Sequence, residues 1–150
     1  LHPGRRAGLV GATGATAMIQ FTVPGDPVAK GRPRATVTRG GHVRMYQADK
    51  TADAEAHVRA CFQALGVPGY PEGTPIKLSI VFRLRKPKLV PAHKEIWPLG
   101  RPDVDNLFKL VADALNGWAW VDDKDIVVIQ ASKRWADGEP CTEITIESLP

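Results

Sequence analysis

The sequence is short of what several protein classes require. Its 150 residues include two cysteines, Cys61 and Cys141, too few for a disulfide framework or for a zinc site by themselves. They read as reduced thiols of a cytoplasmic protein. No apolar run approaches the roughly 20 residues of a membrane-spanning helix, so no membrane partner is expected. A Gly-rich phosphate loop of the Walker type is missing, which counts against a nucleotide hydrolase. The four histidines, His2, His42, His57 and His93, show no metal-ligand spacing and no partner acid at a helical interval. The acidic C-terminal third lacks the regular ligand spacing of an EF-hand, so a calcium-binding structural protein ranks last.

What is present suits one folded domain. The chain is 43% hydrophobic and 24% charged, within the globular range. A chain this long buries roughly 70% of its unfolded surface on folding and needs no covalent staples. Net charge is only +4, but it is unevenly spread. Residues 1–101 hold 16 Lys and Arg against 6 Asp and Glu, whereas residues 102–150 hold 4 against 10. Such a split is compatible with a solvated surface of mixed sign. It is equally what a metal-dependent nuclease needs: a basic surface for a polyanion beside an acidic cluster that takes a cation.

Residues 1–17 differ from the rest. They start at Leu, are rich in Gly, Ala and Thr, and have no apolar periodicity. Arg5-Arg6 ahead of a weakly apolar stretch has the outline of a secretion signal, but Gly8, Gly11 and Gly14 interrupt the apolar region such a signal needs. The stretch is expected to be a disordered leader or cloning remnant, with Met18 the natural start and residues 18–150 the folded domain.

From Ile19 the periodicity sharpens. Ile19, Phe21 and Val23 alternate with polar residues in a strand stopped by Pro24-Gly25. A basic loop, Lys30-Gly31-Arg32-Pro33-Arg34, leads to a short hairpin through Gly40-Gly41 to Val43–Tyr46. Asp49 to Leu65 reads as a helix with Ala54, Val58, Cys61, Phe62 and Leu65 on one face and Gly66 as its stop. Ile76, Leu78, Ile80, Phe82 and Leu84 mark the clearest strand. Arg85 to Arg101, with three prolines, Lys86, Lys88 and Lys94, is a long loop, and loops of this length are usually functional or mobile. A second helix spans about Val104 to Asn116, its apolar face made by Leu107, Leu110, Val111, Ala114 and Leu115. Residues 126–134 and 142–147 are two closing strands linked by a turn at Asp137-Gly138. The expected fold is a small α+β or α/β domain, a mixed sheet of about four strands packed against two helices.

Acids collect at the ends of these elements. In the extended stretch entering the second helix, Asp103 and Asp105 face the same way, and both sit near the positive end of the helix dipole. Either is alternatively a plain N-cap. Lys109 lies one turn past Asp105, as an ordinary i,i+4 ion pair or as a cation that holds a phosphate oxygen. Asp122, Asp123 and Asp125 follow the helix; turn residues are often Asp, but one of the adjacent pair can join the first two acids. Two or three carboxylates with room for water suit a hard cation such as Mg²⁺ or Mn²⁺. Trp118 and Trp120 read as core packing, with base stacking the alternative.

The stretch from Arg101-Pro102-Asp103-Val104-Asp105-Asn106 through Lys109 and Asp113-Ala114-Leu115-Asn116-Gly117 to Asp122-Asp123 closely resembles the RusA family of Holliday junction resolvases. Phe21–Gly25, the basic loop at 30–34 and the closing Thr142–Ile146 are similar to that family's remaining parts, so the likeness covers about residues 19–147. The resemblance implies a crossover junction endodeoxyribonuclease: a homodimer of small α/β subunits that uses Mg²⁺, with Mn²⁺ able to substitute, to cut four-way DNA junctions in recombination and repair. It places catalytic, metal-holding acids on Asp103, Asp105 and Asp123 and a catalytic lysine on Lys109. Members are common in prophages. The expected DNA-binding residues are Lys30, Arg32, Arg34, Arg85, Lys86, Lys88 and Arg101. The rivals are a broader branched-DNA nuclease acting on flaps or forks, and a DNA-binding module that does not cut. The Trp-rich turn departs from the family pattern and leaves any cut-site sequence preference open.

Overall fold

Alternation of apolar side chains decides which strands form the core. The computed structural model describes residues 9–11, 17–31, 34–37, 39–46 and 49–150. In chain order the elements are β1 (Leu9–Gly11), β2 (Ala17–Pro24), β3 (Arg34–Val37), β4 (Val43–Tyr46), α1 (Asp49–Gln63), β5 (Ile76–Leu84), α2 (Val104–Leu115), β6 (Ile126–Trp135) and β7 (Cys141–Ser148). Single 3-10 turns lie at Ala92–Lys94 and Asp123–Asp125. The main sheet runs β1-β2-β7-β5-β6, and β3 pairs with β4 in a separate hairpin. Four long strands thus make the mixed sheet of an α+β domain. Leu9–Gly11, within the stretch whose composition set it apart, adds a three-residue antiparallel strand at the β2 edge.

One face of the sheet is sealed by the two helices. Ile19 and Val23 of β2, Ile76, Leu78, Ile80 and Phe82 of β5, and Ile144 and Ile146 of β7 are all buried there. They meet Val58 and Phe62 from α1 and Leu107, Leu110, Val111, Ala114 and Leu115 from α2. The register explains this sharing, because Leu78 lies opposite Ile146 and Ile80 opposite Ile144. The period of 2 in the strands and of 3.6 in the helices sends every large apolar group into one layer. The other face carries residues such as Lys77, Ser79 and Arg83, with Arg83 paired to Glu143 at 3.2 Å.

The topology refines the expected end of the chain. Strands β6 and β7 are joined by a short link, yet they are not neighbours: β5 lies between them. β6 runs parallel to β5, whereas β7 is antiparallel to it. A parallel pair needs a crossover, and the segment 85–125 with α2 supplies it. β6 is therefore the edge strand beside α2. Its Val127, Val128 and Ile129 are exposed, unlike the apolar residues of β5.

The turn after α2 is clamped from below. Gly117 takes a positive φ of 81°, and both Trp118 and Ala119 donate their N–H to the Leu115 carbonyl. Tyr70 donates its N–H to the Ala119 carbonyl at 2.8 Å. Next to it, a Cβ on Gly69 would come within 2.2 Å of the Trp118 carbonyl oxygen, so only glycine lets the link pass this close.

Candidate active site

Asp103 stands at the N-cap of α2 with extended backbone angles, but its side chain caps nothing. The plain capping role is thus absent, and the carboxylate is left exposed at the helix entrance. Asp105 lies in the first turn and is exposed too. Both anions profit from the partial positive charge of the helix N-terminus. The loop that delivers them is fixed by Lys133 of β6, whose ammonium donates to the carbonyls of Gly100 at 2.6 Å and Pro102 at 2.9 Å. The Arg101–Pro102 peptide between these anchors is cis.

The three acids after α2 separate by their hydrogen bonds. Asp122 accepts the Lys124 N–H at 3.1 Å and caps the 3-10 turn. Asp125 accepts the Gly73 N–H at 3.0 Å and ties down the 71–75 link. Asp123 is half-buried and points elsewhere: its Oδ1 accepts the indole N–H of Trp120 at 2.7 Å, while its own N–H donates to the Asn116 side-chain carbonyl at 3.1 Å. Burial pushes the Asp123 carboxyl above the ordinary carboxylate range. The Trp120 bond opposes that rise, Asp113 and Asp122 add to it, and Lys109 opposes it.

Asp105, Lys109, Asp113 and Asp123 line one cleft of about 370 Å³ between α2 and β6, floored by Phe108, Ile126 and Ile129. Among the described residues no carboxylate lies within ion-pair distance of Lys109, so the i,i+4 pair with Asp105 is not made. Asp103 opens instead on the neighbouring groove, with Arg101, Lys50 and Gly31. Asn106 borders both. Two of the three expected acids thus share a cleft and the third stands at the adjoining one. No three Asp, Glu, His or Cys side chains form a ready-made metal group among the described residues. The donors are nonetheless of the right kind. They are oxygens only, and a small hard cation is commonly held by one or two carboxylates, with water and substrate phosphate completing its shell.

The expected DNA-binding residues divide. Lys30 is mostly buried between two acids, with its ammonium 2.5 Å from Glu55 of α1 and 3.0 Å from Asp113 of α2. Burial lowers its pKa, but the bonds to these two carboxylates outweigh it and the net shift is upward. Its charge thus binds the two helices together. Arg32 lies outside the described residues, and so does the side chain of Arg34. Arg85 is exposed within 3.6 Å of both Asp26 and Glu139, and Lys86 pairs with Glu95 at 2.6 Å. Lys88 and Arg101 are exposed and make no ion pair among the described residues. The 85–101 loop itself is pinned to β6, by Trp135 donating to the Lys94 carbonyl at 2.8 Å and by Arg134 stacking on Trp97 at 4.7 Å.

Sequence reasoning paired Trp118 with Trp120 as core. The structure splits them: Trp120 is buried, while Trp118 is half-exposed under the Arg59 guanidinium. Sequence reasoning gave no role to Lys133, whose only signal was polarity on a strand, nor to Asp113, which entered only as part of the RusA-like stretch.

The model of endodeoxyribonuclease RusA matches residues 24–147. The chain belongs to the RusA family. Among its relatives, an uncharacterized protein, YqaN, of Bacillus subtilis (strain 168) is 33% identical over 140 residues, covering 87% of this chain and 96% of the relative. The RusA match spans every element from the end of β2 to β7, so the cleft, the N-cap acid and the pinned loop all lie inside the family's domain. No helix among the described residues is long and apolar enough to cross a membrane.

Proposed function

We propose that this RusA-family protein is a Mg²⁺-dependent endodeoxyribonuclease that resolves four-way DNA junctions by paired nicks, in recombination and repair. The observation that carries the reading is the α2–β6 cleft, where Asp105 and Asp123 meet Lys109, which makes no ion pair among the described residues. Asp103, Asp105 and Asp123 would hold the divalent ion, and Mn²⁺ could take its place. Bound there, the ion supplies charge stabilisation to the scissile phosphate and makes water a better nucleophile.

The protein's own groups do the rest. Lys109 offers its ammonium to a non-bridging phosphate oxygen as negative charge builds in the transition state. Attack by water in line with the P–O3′ bond forms a new P–O bond as the 3′-oxygen leaves, giving ends that a ligase can rejoin. Lys88 and Arg101, with Arg85 and Lys86 beside them, grip the backbones leading into the cleft, and Arg32 and Arg34, which lie outside the described side chains, stay candidates for DNA contact. Such contacts release counterions, so binding weakens steeply as salt rises. Lys30 contributes from inside, by joining the helices that carry the cleft.

A two-fold dimer suits a junction with two-fold pseudosymmetry, one site for each of two opposed strands. The exposed Val127 and Val128 on the edge strand β6 support self-association, since an unpaired apolar edge is a template for pairing, with the charges of the strand, Lys133 and Arg134, confined to its far end. Strand-by-strand nicking of synthetic junction, flap and linear duplex, with and without Mg²⁺, tests the proposal. Symmetric cuts confined to the junction and dependent on Mg²⁺ are expected. Equal cutting of flaps would make it a broader branched-DNA nuclease, and binding without cutting would leave a DNA-binding module.

A further inference from the structure

Trp120 is the largest fully buried side chain, and its one polar group is committed to an acid of the cleft. An indole has a single N–H to donate and nothing with which to accept. Burying it calls for a partner, and here the partner is Asp123 Oδ1 at 2.7 Å. Such a bond between an N–H and a carboxylate is among the stronger kinds available. A second bond fixes the same residue from its backbone side, the Asp123 N–H to Asn116 Oδ1 at 3.1 Å. Asn116 is the C-cap residue of α2, and its backbone also bridges to Trp120. The other carboxylate oxygen, Oδ2, accepts no hydrogen bond among the described residues.

We propose that Trp120 and Asn116 are positioning residues for Asp123: they hold one carboxylate oxygen and the backbone so that the free oxygen is presented to the cleft. The inference rests on the nuclease reading above and extends it, because neither residue lines the cleft and both reach it only through Asp123. Three things follow from the geometry. The buried indole cannot move without moving the core, so its N–H is a fixed point against which the carboxylate is set. Engaging Oδ1 leaves Oδ2 as the oxygen with no partner among the described residues, and so the one turned to a ligand first. Finally, a carboxylate ordered in advance loses less freedom when it takes a ligand, which tightens binding. Outer groups that orient a metal-holding carboxylate typically change metal affinity or activity 10–100-fold when removed.

The test uses the intact chain and two readouts. First, the four indole N–H signals are followed by ¹H–¹⁵N NMR, that of Trp120 being assigned by its loss in Trp120→Phe. It is expected to shift in Asp123→Asn, and to move on MgCl₂ titration of the wild type but not of Asp123→Asn. Second, the Mg²⁺ concentration for half-maximal junction nicking is measured in Trp120→Phe, Trp120→Leu and Asn116→Ala. The two Trp120 variants both lack the N–H but differ in ring volume. They are expected to share a midpoint raised about 10-fold or more, with nicking restored by excess Mg²⁺, while Trp120→Leu melts well below Trp120→Phe. Asn116→Ala, at an exposed position, is expected to fold normally and raise the midpoint by a smaller factor.

A Trp120 signal indifferent to Mg²⁺ while wild-type nicking still needs the ion would overturn the proposal. So would a midpoint that follows the loss of melting temperature from Phe to Leu, since that is the behaviour of a packing residue. If the wild type never nicks in Mg²⁺ or Mn²⁺, the nuclease reading itself fails and takes the positioning role with it, a result distinguishable from the other two.

Discussion

The two ends of α2 treat their acids differently. At the N-terminal end no side-chain bond of Asp103 or Asp105 is made among the described residues, and Asp103 ignores the cap it is placed to form. Around the C-terminal end every acid has a partner within the protein: Asp113 has Lys30, Asp122 the Lys124 N–H and Asp123 the Trp120 indole. The physics accounts for the contrast. A helix N-terminus stabilises an anion without a dedicated donor, whereas its C-terminus presents partial negative charge and repels one. Acids at this end of α2 therefore need supplied donors, and the chain spends Trp120, Lys30 and a turn backbone on them. The comparison teaches that an acid at the front can stand unattached, whereas one at the back, Asp123 included, is held by a donor of the protein before it can serve the cleft.

Substitutions can break this contrast. Replacing Asp103 or Asp123 by Asn is expected to lower junction nicking by more than about 100-fold and to leave junction binding intact, as read by gel shift beside single-turnover cleavage. Full cutting by either variant would remove that acid from the site. Lys109→Ala, midway along the helix, should slow the cleavage step more than it weakens binding. Lys30→Ala attacks the anchored end. It strands Glu55 and Asp113 without their cation, and chemical denaturation should show a loss of about 2 kcal/mol, with Asp103→Asn showing almost none. At the free end, removing Lys88 or Arg101 should leave the melting temperature unchanged and reduce the slope of log affinity against log salt by about 0.9 per residue. An unchanged slope would take that residue out of the interface.

The smallest effect concerns the clamp under the anchored end. Burial, with Glu147 adding to it, pushes the Tyr70 hydroxyl from its ordinary 10 up to about 12. Between these values the folded state keeps a proton that the unfolded state has lost, so stability falls as pH rises from 10 through about 12. Tyr70→Phe should flatten that alkaline fall in denaturation midpoints, and a fall of equal size in the variant would assign it to other groups.

Much of this was legible in the sequence because it is local. The alternation in Ile76–Leu84 and the 3.6-residue spacing of Leu107, Leu110, Val111 and Ala114 define their elements unaided. The acids of 103–105 and 122–125 announce themselves by type and spacing. What escaped depends on pairings that no short window contains. The turn at Asp137-Gly138 is visible, but the place of β5 between β6 and β7 is settled by burial on the sheet. Lys30 looks like one more basic loop residue until Glu55 and Asp113 arrive from two helices. Trp118 and Trp120 are alike by composition and opposite in fate, because the positive φ at Gly117 turns one outward and the other in.

Gly69 carries a consequence out of proportion to its size. It lies 54 positions before Asp123 in the numbering, in a link with no chemistry of its own, yet its missing methyl makes room for the Trp118 carbonyl. Any side chain there would lift the loop overhead, tilt the indole behind it and swing the carboxylate off its aim. An address that bears no charge thereby governs how accurately Asp123 is set.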